Sequence, residues 1–222
     1  MIDKAFFEEN NKINIIPLFT TPVMTVQLNF DLEKLTEFAF QIQNKDKKGA
    51  QNTNRGGWHS NEIYEENHEE FIRLKKEIKQ YLQIYHSEVF KGMVFKGNVI
   101  QNLADMWVNI NEKYHYNEWH LHPHSTLSGT YYIKHDGSNE NGNIMFKHPT
   151  NLYISLVHWP RELLESTKKT NEITSEIVPI TPKSNMLLIF PSWLEHKVEN
   201  NLKNDSRISL SFNSFPILEK NS

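Results

Sequence analysis

Apolar residues recur at helical spacing in the N-terminal part of the chain and at strand spacing through most of the remainder. In "DLEKLTEFAFQIQ", Leu32, Leu35, Phe38, Ala39 and Ile42 share one stripe, and Asp31 stands where a side-chain cap belongs. Between Glu66 and Val89, the residues Phe71, Leu74, Ile78, Leu82, Tyr85 and Val89 return every three or four positions, which predicts a long amphipathic helix. Upstream, "IIPLFTTPVMTVQLNF" is β-branched and punctuated by Pro17 and Pro22, as in an edge strand or extended entry segment. "NKDKKGAQNTNRGGWHS" is a loop by composition. After Gly97 the texture changes to period two: "ADMWVNIN" alternates Ala104, Met106, Val108 and Ile110 with polar or aromatic neighbours. Further strands are predicted at "LSGTYYIK", "NIMFKH", "LYISLV", "EIVPIT", "NMLLIF" and "RISLSFN", several separated by turn-rich stretches such as "HDGSNENGN" and "TPKSN". Two helices followed by many short strands imply an antiparallel sandwich or barrel with the helices packed outside. No repeat or linker divides the sequence, so residues 1–222 are expected to form one domain. Residues 1–96 supply the N-terminal strand and supporting helices, and residues 97–216 the barrel core.

Composition narrows the chemistry. A hydrophobic content of 38% with 12% aromatics describes a folded globular chain. The net charge of -3 gives no general reason to expect a nucleic-acid or anionic-membrane partner. No cysteine is present, which excludes disulfides, zinc–thiolate sites and cysteine nucleophiles and leaves His, Asp and Glu as metal ligands. The opening "MIDKAFFEENNKINIIP" is acidic where a secretory signal is basic, and no apolar run approaches a membrane span. A cytoplasmic protein is expected, in the host cytoplasm if the source is viral.

The histidines are the main chemical signal. In "NEWHLHPHSTLSG", His120, His122 and His124 alternate, and alternate residues of a strand share a face. Pro123 ends the strand while holding His122 extended, so His120 and His122 are the better chelating pair. An HxH pair alone is more often solvated or hydrogen-bonded than metal-binding, and a site needs a third ligand. His196 supplies one, in extended sequence after the turn at Pro191. Eleven residues on, Arg207 begins a strand in which Arg207, Ser209, Ser211 and Asn213 share one face and Ile208, Leu210 and Phe212 the other. The polar face could simply meet water. Yet it carries an arginine in a chain whose 24 basic residues are nearly all lysine, and a guanidinium grips a carboxylate bidentately.

The segments "PLFTTPV", "NRGGWHS", "WHLHPHSTLSGTYYI", "FPSWLEHKV" and "RISLSFN" together resemble the iron(II)- and 2-oxoglutarate-dependent oxygenases, most closely a branch common in marine phages and bacteria. The resemblance runs from residue 17 to residue 213. It implies a mainly β fold with flanking helices, namely a double-stranded β-helix (a jelly-roll or cupin-like barrel). It also implies an Fe(II)- and 2-oxoglutarate-dependent dioxygenase that hydroxylates a substrate with dioxygen and releases succinate and carbon dioxide. Fe(II) would sit on His120, His122 and His196, with His122 replacing the usual carboxylate. Arg207, assisted by Ser209, would bind the distal carboxylate of 2-oxoglutarate. Tyr116, Tyr132 and Asn109 are further candidates for cosubstrate contact, and Glu118, on the face of His120, is the better candidate for a nearby carboxylate. His59 belongs to a loop that could lid the site, and the tryptophans are expected mostly in the core.

Two other readings fit the same residues. A cupin-type dioxygenase would use three-histidine iron without 2-oxoglutarate and would not need Arg207. A non-catalytic barrel would bind a ligand, or only adventitious metal. Nucleic-acid binding is the weakest reading, for want of a basic stripe. The primary substrate is open, with a slight lean toward a peptide or protein side chain, and a homodimer is left open.

Overall fold

The computed structural model describes residues 20–50, 52–93, 96–150 and 175–219. The predicted strand at "LYISLV", Trp159 and Pro17 lie outside these residues. Strand β1 (Met24–Gln27) leads into helix α1 (Leu32–Lys45), whose Asp31 carboxylate accepts from the Glu33 and Lys34 N–H groups. The predicted stripe is the buried one: Leu35, Phe38, Ala39 and Ile42. Two-residue strands β2 (Asn54–Arg55) and β3 (Trp58–His59) interrupt the segment read as loop. Composition could not disclose them, because each is held by pairing to a distant strand. Helix α2 (Glu69–Val89) buries Phe71, Leu74, Ile78, Leu82 and Tyr85.

The strands that follow are β4 (Val99–Asn111), β5 (Tyr116–His120), β6 (Leu127–Lys134), β7 (Ile144–Lys147), β8 (Ile177–Ile180), β9 (Met186–Pro191), β10 (His196–Val198) and β11 (Arg207–Leu218). They form a 6-stranded sheet ordered β1-β9-β6-β11-β4-β3 and a 5-stranded sheet ordered β2-β5-β10-β7-β8, antiparallel throughout. This is the jelly-roll layout, with two sheets that among the described residues do not close into a continuous barrel. No helix among the described residues is long and apolar enough to cross a membrane.

The larger sheet uses its two faces differently. Met106, Val108 and Ile110 of β4 join Ile208, Leu210 and Phe212 of β11 in one core with the buried stripes of α1 and α2. Truncating one such leucine, for example Leu74 at 0% exposure, should cost about 2–5 kcal/mol. The alternate residues of the same strands face the smaller sheet. A second apolar cluster there, including Tyr132, Phe146, Leu188 and Phe190, fills only part of the space between the sheets. The rest is a cavity. The period-two alternation of β11 thus separates a helix-covered face from a cavity face, and its polar side lines that cavity.

Candidate functional site

A cavity of about 370 Å³ lies between the sheets. From the larger sheet it receives Asp105, Trp107, Asn109 and Asn111 of β4, and Arg207, Ser209, Ser211 and Asn213 of β11. The smaller sheet and its connections contribute Asn117, His120, His122 and His196. The ligand atoms of His120, His122 and His196 lie within 4.8 Å of one another, and among the described residues no carboxylate joins the group.

The ladder accounts for this convergence. His196 of β10 pairs directly with His120 of β5. His122 lies two residues past the end of β5, with its N–H bonded to the Ser192 carbonyl at 2.9 Å. The strand therefore stops at His120, short of the extent predicted. The break at Pro123 is where expected: His124 has φ 68 and stands beyond it.

Main-chain and side-chain partners orient the rings. Nδ1 of His120 lies 2.7 Å from the Glu118 carbonyl and Nδ1 of His196 2.8 Å from the Leu194 carbonyl. An Nδ1–H donated to each carbonyl leaves Nε2 as the free lone pair, the tautomer a metal requires. The His122 ring shares a hydrogen bond with the side chain of Asn213, which accepts from Ser128 Oγ at 2.8 Å. Burial is the leading cause that lowers the pKa of all three imidazoles, with His122 lowered to about 4 and His196 well below the ordinary value. Three uncharged imidazoles clustered at one point form a donor set suited to a divalent first-row metal.

Arg207 is 2% exposed, and its Nη1 donates to the Asn141 and Glu199 carbonyls at 2.7 and 2.9 Å. Desolvation lowers its pKa to about 10, still leaving a cation at neutral pH. Among the described residues no carboxylate forms an ion pair with it. Tyr132, beside it, has a phenol pushed by burial up to about 12, and so remains a neutral donor. A buried cation next to a neutral phenol, in a cavity that also holds a histidine cluster, fits a small anion that carries a carboxylate and chelates a metal.

The structure brings His120, His122, His196, Arg207, Ser209, Tyr132 and Asn109 to one cavity. Tyr116 and Glu118 are corrections. β5 carries an extra residue against β10, because His196 pairs with His120 but Val198 with Asn117. This bulge breaks the two-residue alternation, so Asn117 and His120 both line the cavity. Tyr116, Glu118 and Trp119 line a separate groove, where Glu118 pairs with Arg55 at 2.6 Å. Asn117 was missed for the same reason, since a bulge leaves no mark in the hydrophobic pattern. His59 is a strand residue, not part of a mobile loop, and lines the cavity in a stack with Trp107, which in turn stacks on His122. Of the tryptophans, Trp58 is buried, Trp107 lines the cavity and Trp193 is 52% exposed, so the expectation of a mostly core role fails.

Residues 105–213 match a protein family described as "Putative 2OG-Fe(II) oxygenase". Solved structures with the same fold include a prolyl-4-hydroxylase from Pseudomonas putida, at TM-score 0.55 and 14% identity, covering 88% of this chain and 94% of that one. HygX from Streptomyces hygroscopicus, with nickel and 2-oxoglutarate bound, gives TM-score 0.54 and 10% identity, covering 97% and 87%. The alpha-ketoglutarate-dependent epimerase SnoN of nogalamycin biosynthesis gives TM-score 0.56 and 11% identity, covering 87% and 78%. No curated protein matches the sequence.

Proposed function

We propose that this chain, whose residues 105–213 match the 2OG-Fe(II) oxygenase family model, is a hydroxylase whose iron is held by His120, His122 and His196 and whose 2-oxoglutarate is anchored by Arg207. One observation carries this reading: the histidine cluster and a buried arginine that forms no ion pair among the described residues line the same cavity. Bound iron and 2-oxoglutarate supply dioxygen activation coupled to oxidative decarboxylation, so that R–H, dioxygen and 2-oxoglutarate become R–OH, succinate and carbon dioxide.

The protein's own residues position and enclose. The Glu118 and Leu194 carbonyls fix two imidazoles in the ligating tautomer, and Asn213 holds the third. Arg207 offers a guanidinium to the distal carboxylate, with Ser209 and Tyr132 as hydroxyl donors on the same cavity wall. Asn109 lies on the neighbouring strand, opposite Ser209. Ile144, Phe190 and Val198 form an apolar wall that keeps bulk water from the reacting centre.

The substrate class leans toward a peptide or protein side chain. Prolyl hydroxylases stand among the structures sharing this fold, although HygX has also been solved with hygromycin B bound and SnoN is an epimerase. The cupin-type alternative, iron without 2-oxoglutarate, gives no use to the buried Arg207. The test is to supply iron-loaded protein with 2-oxoglutarate, isotopically labelled dioxygen and a peptide library. One labelled oxygen in the product and one in succinate is the expected result. Succinate formation with a changed but unoxygenated product would overturn hydroxylation while leaving the family assignment in place.

A further inference from the structure

The cavity has two chemically opposite ends. Along β4 and β11, Arg207 pairs with Asn111, Ser209 with Asn109 and Ser211 with Trp107, and the cavity faces continue to Asp105 and Asn213. At about 3.3 Å per residue, Arg207 and Asn213 stand roughly 20 Å apart along the strand. Arg207 marks one end. Asp105, which accepts from Asn213 Nδ2 at 3.4 Å, marks the other.

Asp105 is exposed and, among the described residues, has no lysine or arginine paired with it. The neighbouring carboxylate of Glu62 is occupied by the main-chain N–H groups of Tyr64 and Met106. A second, independent feature is found on the cavity wall, where Asn109 stands between the two ends along β4. Asn109 is 3% exposed, and its Oδ1 is buried without a hydrogen-bond partner, as is Oδ1 of Asn117. Asn109 lines the cavity, and Asn117 lies where the cavity meets the neighbouring groove. A buried acceptor left unpaired costs stability unless an N–H or O–H reaches it. 2-Oxoglutarate carries only acceptors at neutral pH, so it cannot fill that role.

We propose that the Asp105 end is the primary-substrate subsite and takes a cationic, hydrogen-bond-donating molecule, with an ammonium or guanidinium group against Asp105 and N–H or O–H groups toward Asn109 and Asn117. The assignment rests on the reading above that the Arg207 end belongs to the cosubstrate. A basic peptide side chain and an amino-bearing small molecule share this chemistry, and a neutral or acidic substrate does not.

The test uses three linear probes of equal length, aminohexanol, hexanediol and hydroxyhexanoate, titrated by calorimetry into full-length protein held anaerobically with Fe(II) and 2-oxoglutarate. Aminohexanol should bind about fivefold more tightly than hexanediol, and hydroxyhexanoate least tightly. Asp105→Asn should erase the gap, Asp105→Glu should keep it, and Asp105→Lys should turn the preference toward hydroxyhexanoate. Equal affinities in the wild type, a gap that survives Asp105→Asn, or no binding of aminohexanol at millimolar concentration would overturn the subsite. A basic peptide and an amino sugar, added in competition with aminohexanol, separate the two sources by which displaces it. The visible charge-transfer band of the iron–2-oxoglutarate complex, recorded on the same samples, reports the underlying reading separately. A band without amine preference removes only the subsite; amine preference without a band removes the 2-oxoglutarate reading and keeps the subsite.

Discussion

Replacing Gly142 by alanine perturbs Arg207 without altering any side chain of the cavity. Gly142 has φ +93, and a methyl group there would overlap Arg207 Nη1 and come within 2.6 Å of the Glu199 carbonyl. Gly137 is the control for a positive φ without a clash: it has φ +81, but its added methyl would meet only Lys183 Cγ, at 3.8 Å. A methyl at positive φ costs about 1–2 kcal/mol in the left-handed well, and Gly142, with ψ 120, lies outside that well, where the strain is about 1–3 kcal/mol. Only Gly142→Ala also forces the guanidinium off the Asn141 and Glu199 carbonyls, and hydrogen bonds to a charged group are worth about 1.5–3 kcal/mol. Gly142→Ala should therefore destabilise by about 3–5 kcal/mol and Gly137→Ala by about 1–2 kcal/mol, read from urea unfolding midpoints at equal slope. Displacing the anchor should also raise the dissociation constant of 2-oxoglutarate by about tenfold or more, titrated anaerobically on iron-loaded protein. If Gly142→Ala were as mild as Gly137→Ala, or left the 2-oxoglutarate titration unchanged, the placement of Arg207 or its role would be refuted.

Other substitutions separate the cavity from its surroundings. Glu118→Gln should leave iron affinity unchanged and cost no more than about 0.5 kcal/mol, because its partnership with Arg55 is a half-exposed surface pair; metal titration and urea unfolding check both. Tyr132→Phe should weaken 2-oxoglutarate binding severalfold while Tyr116→Phe should not, since only Tyr132 lines the cavity, and one titration series compares them. His135 is 4% exposed, accepts the Gly137 N–H at Nδ1 and has a pKa lowered first by burial. The unfolded chain takes up this proton near pH ~6.5 and the folded one resists it, so the contribution is intact above that value and is lost as pH falls below it. Unfolding midpoints measured from pH ~7.5 down to ~5.5 should drop less steeply in His135→Gln than in the wild type.

Much of this arrangement was legible in the sequence, and its gaps have specific physical causes. The stripes of α1 and α2 follow from helical spacing because each packs one face on a sheet, and Val89, at 39% exposure, marks where the second stripe runs off that sheet. Period two identified β4 and β11 and sorted Arg207, Ser209 and Ser211 onto one face. What it could not tell was whether that face meets water or a second sheet, since the local pattern is the same. Alternation also misassigned Glu118, because the bulge in β5 is set by pairing with β10, seventy-odd residues away in the chain, and the same bulge leaves Tyr116, chosen from the resemblance, outside the cavity. β2 and β3 were invisible for a related reason: two residues carry no periodicity, and only their ladders to β5 and β4 make them strands. His59 reached the cavity by that route.

The most direct test is to add Fe(II) and then 2-oxoglutarate to metal-free protein without oxygen and to record the visible metal-to-ligand charge-transfer band. Wild type should develop the band, His196→Ala should lose it, and Arg207→Ala should require far more 2-oxoglutarate to reach it. Iron binding with no band at any 2-oxoglutarate concentration, or a band indifferent to both substitutions, would contradict the site assigned to His120, His122, His196 and Arg207.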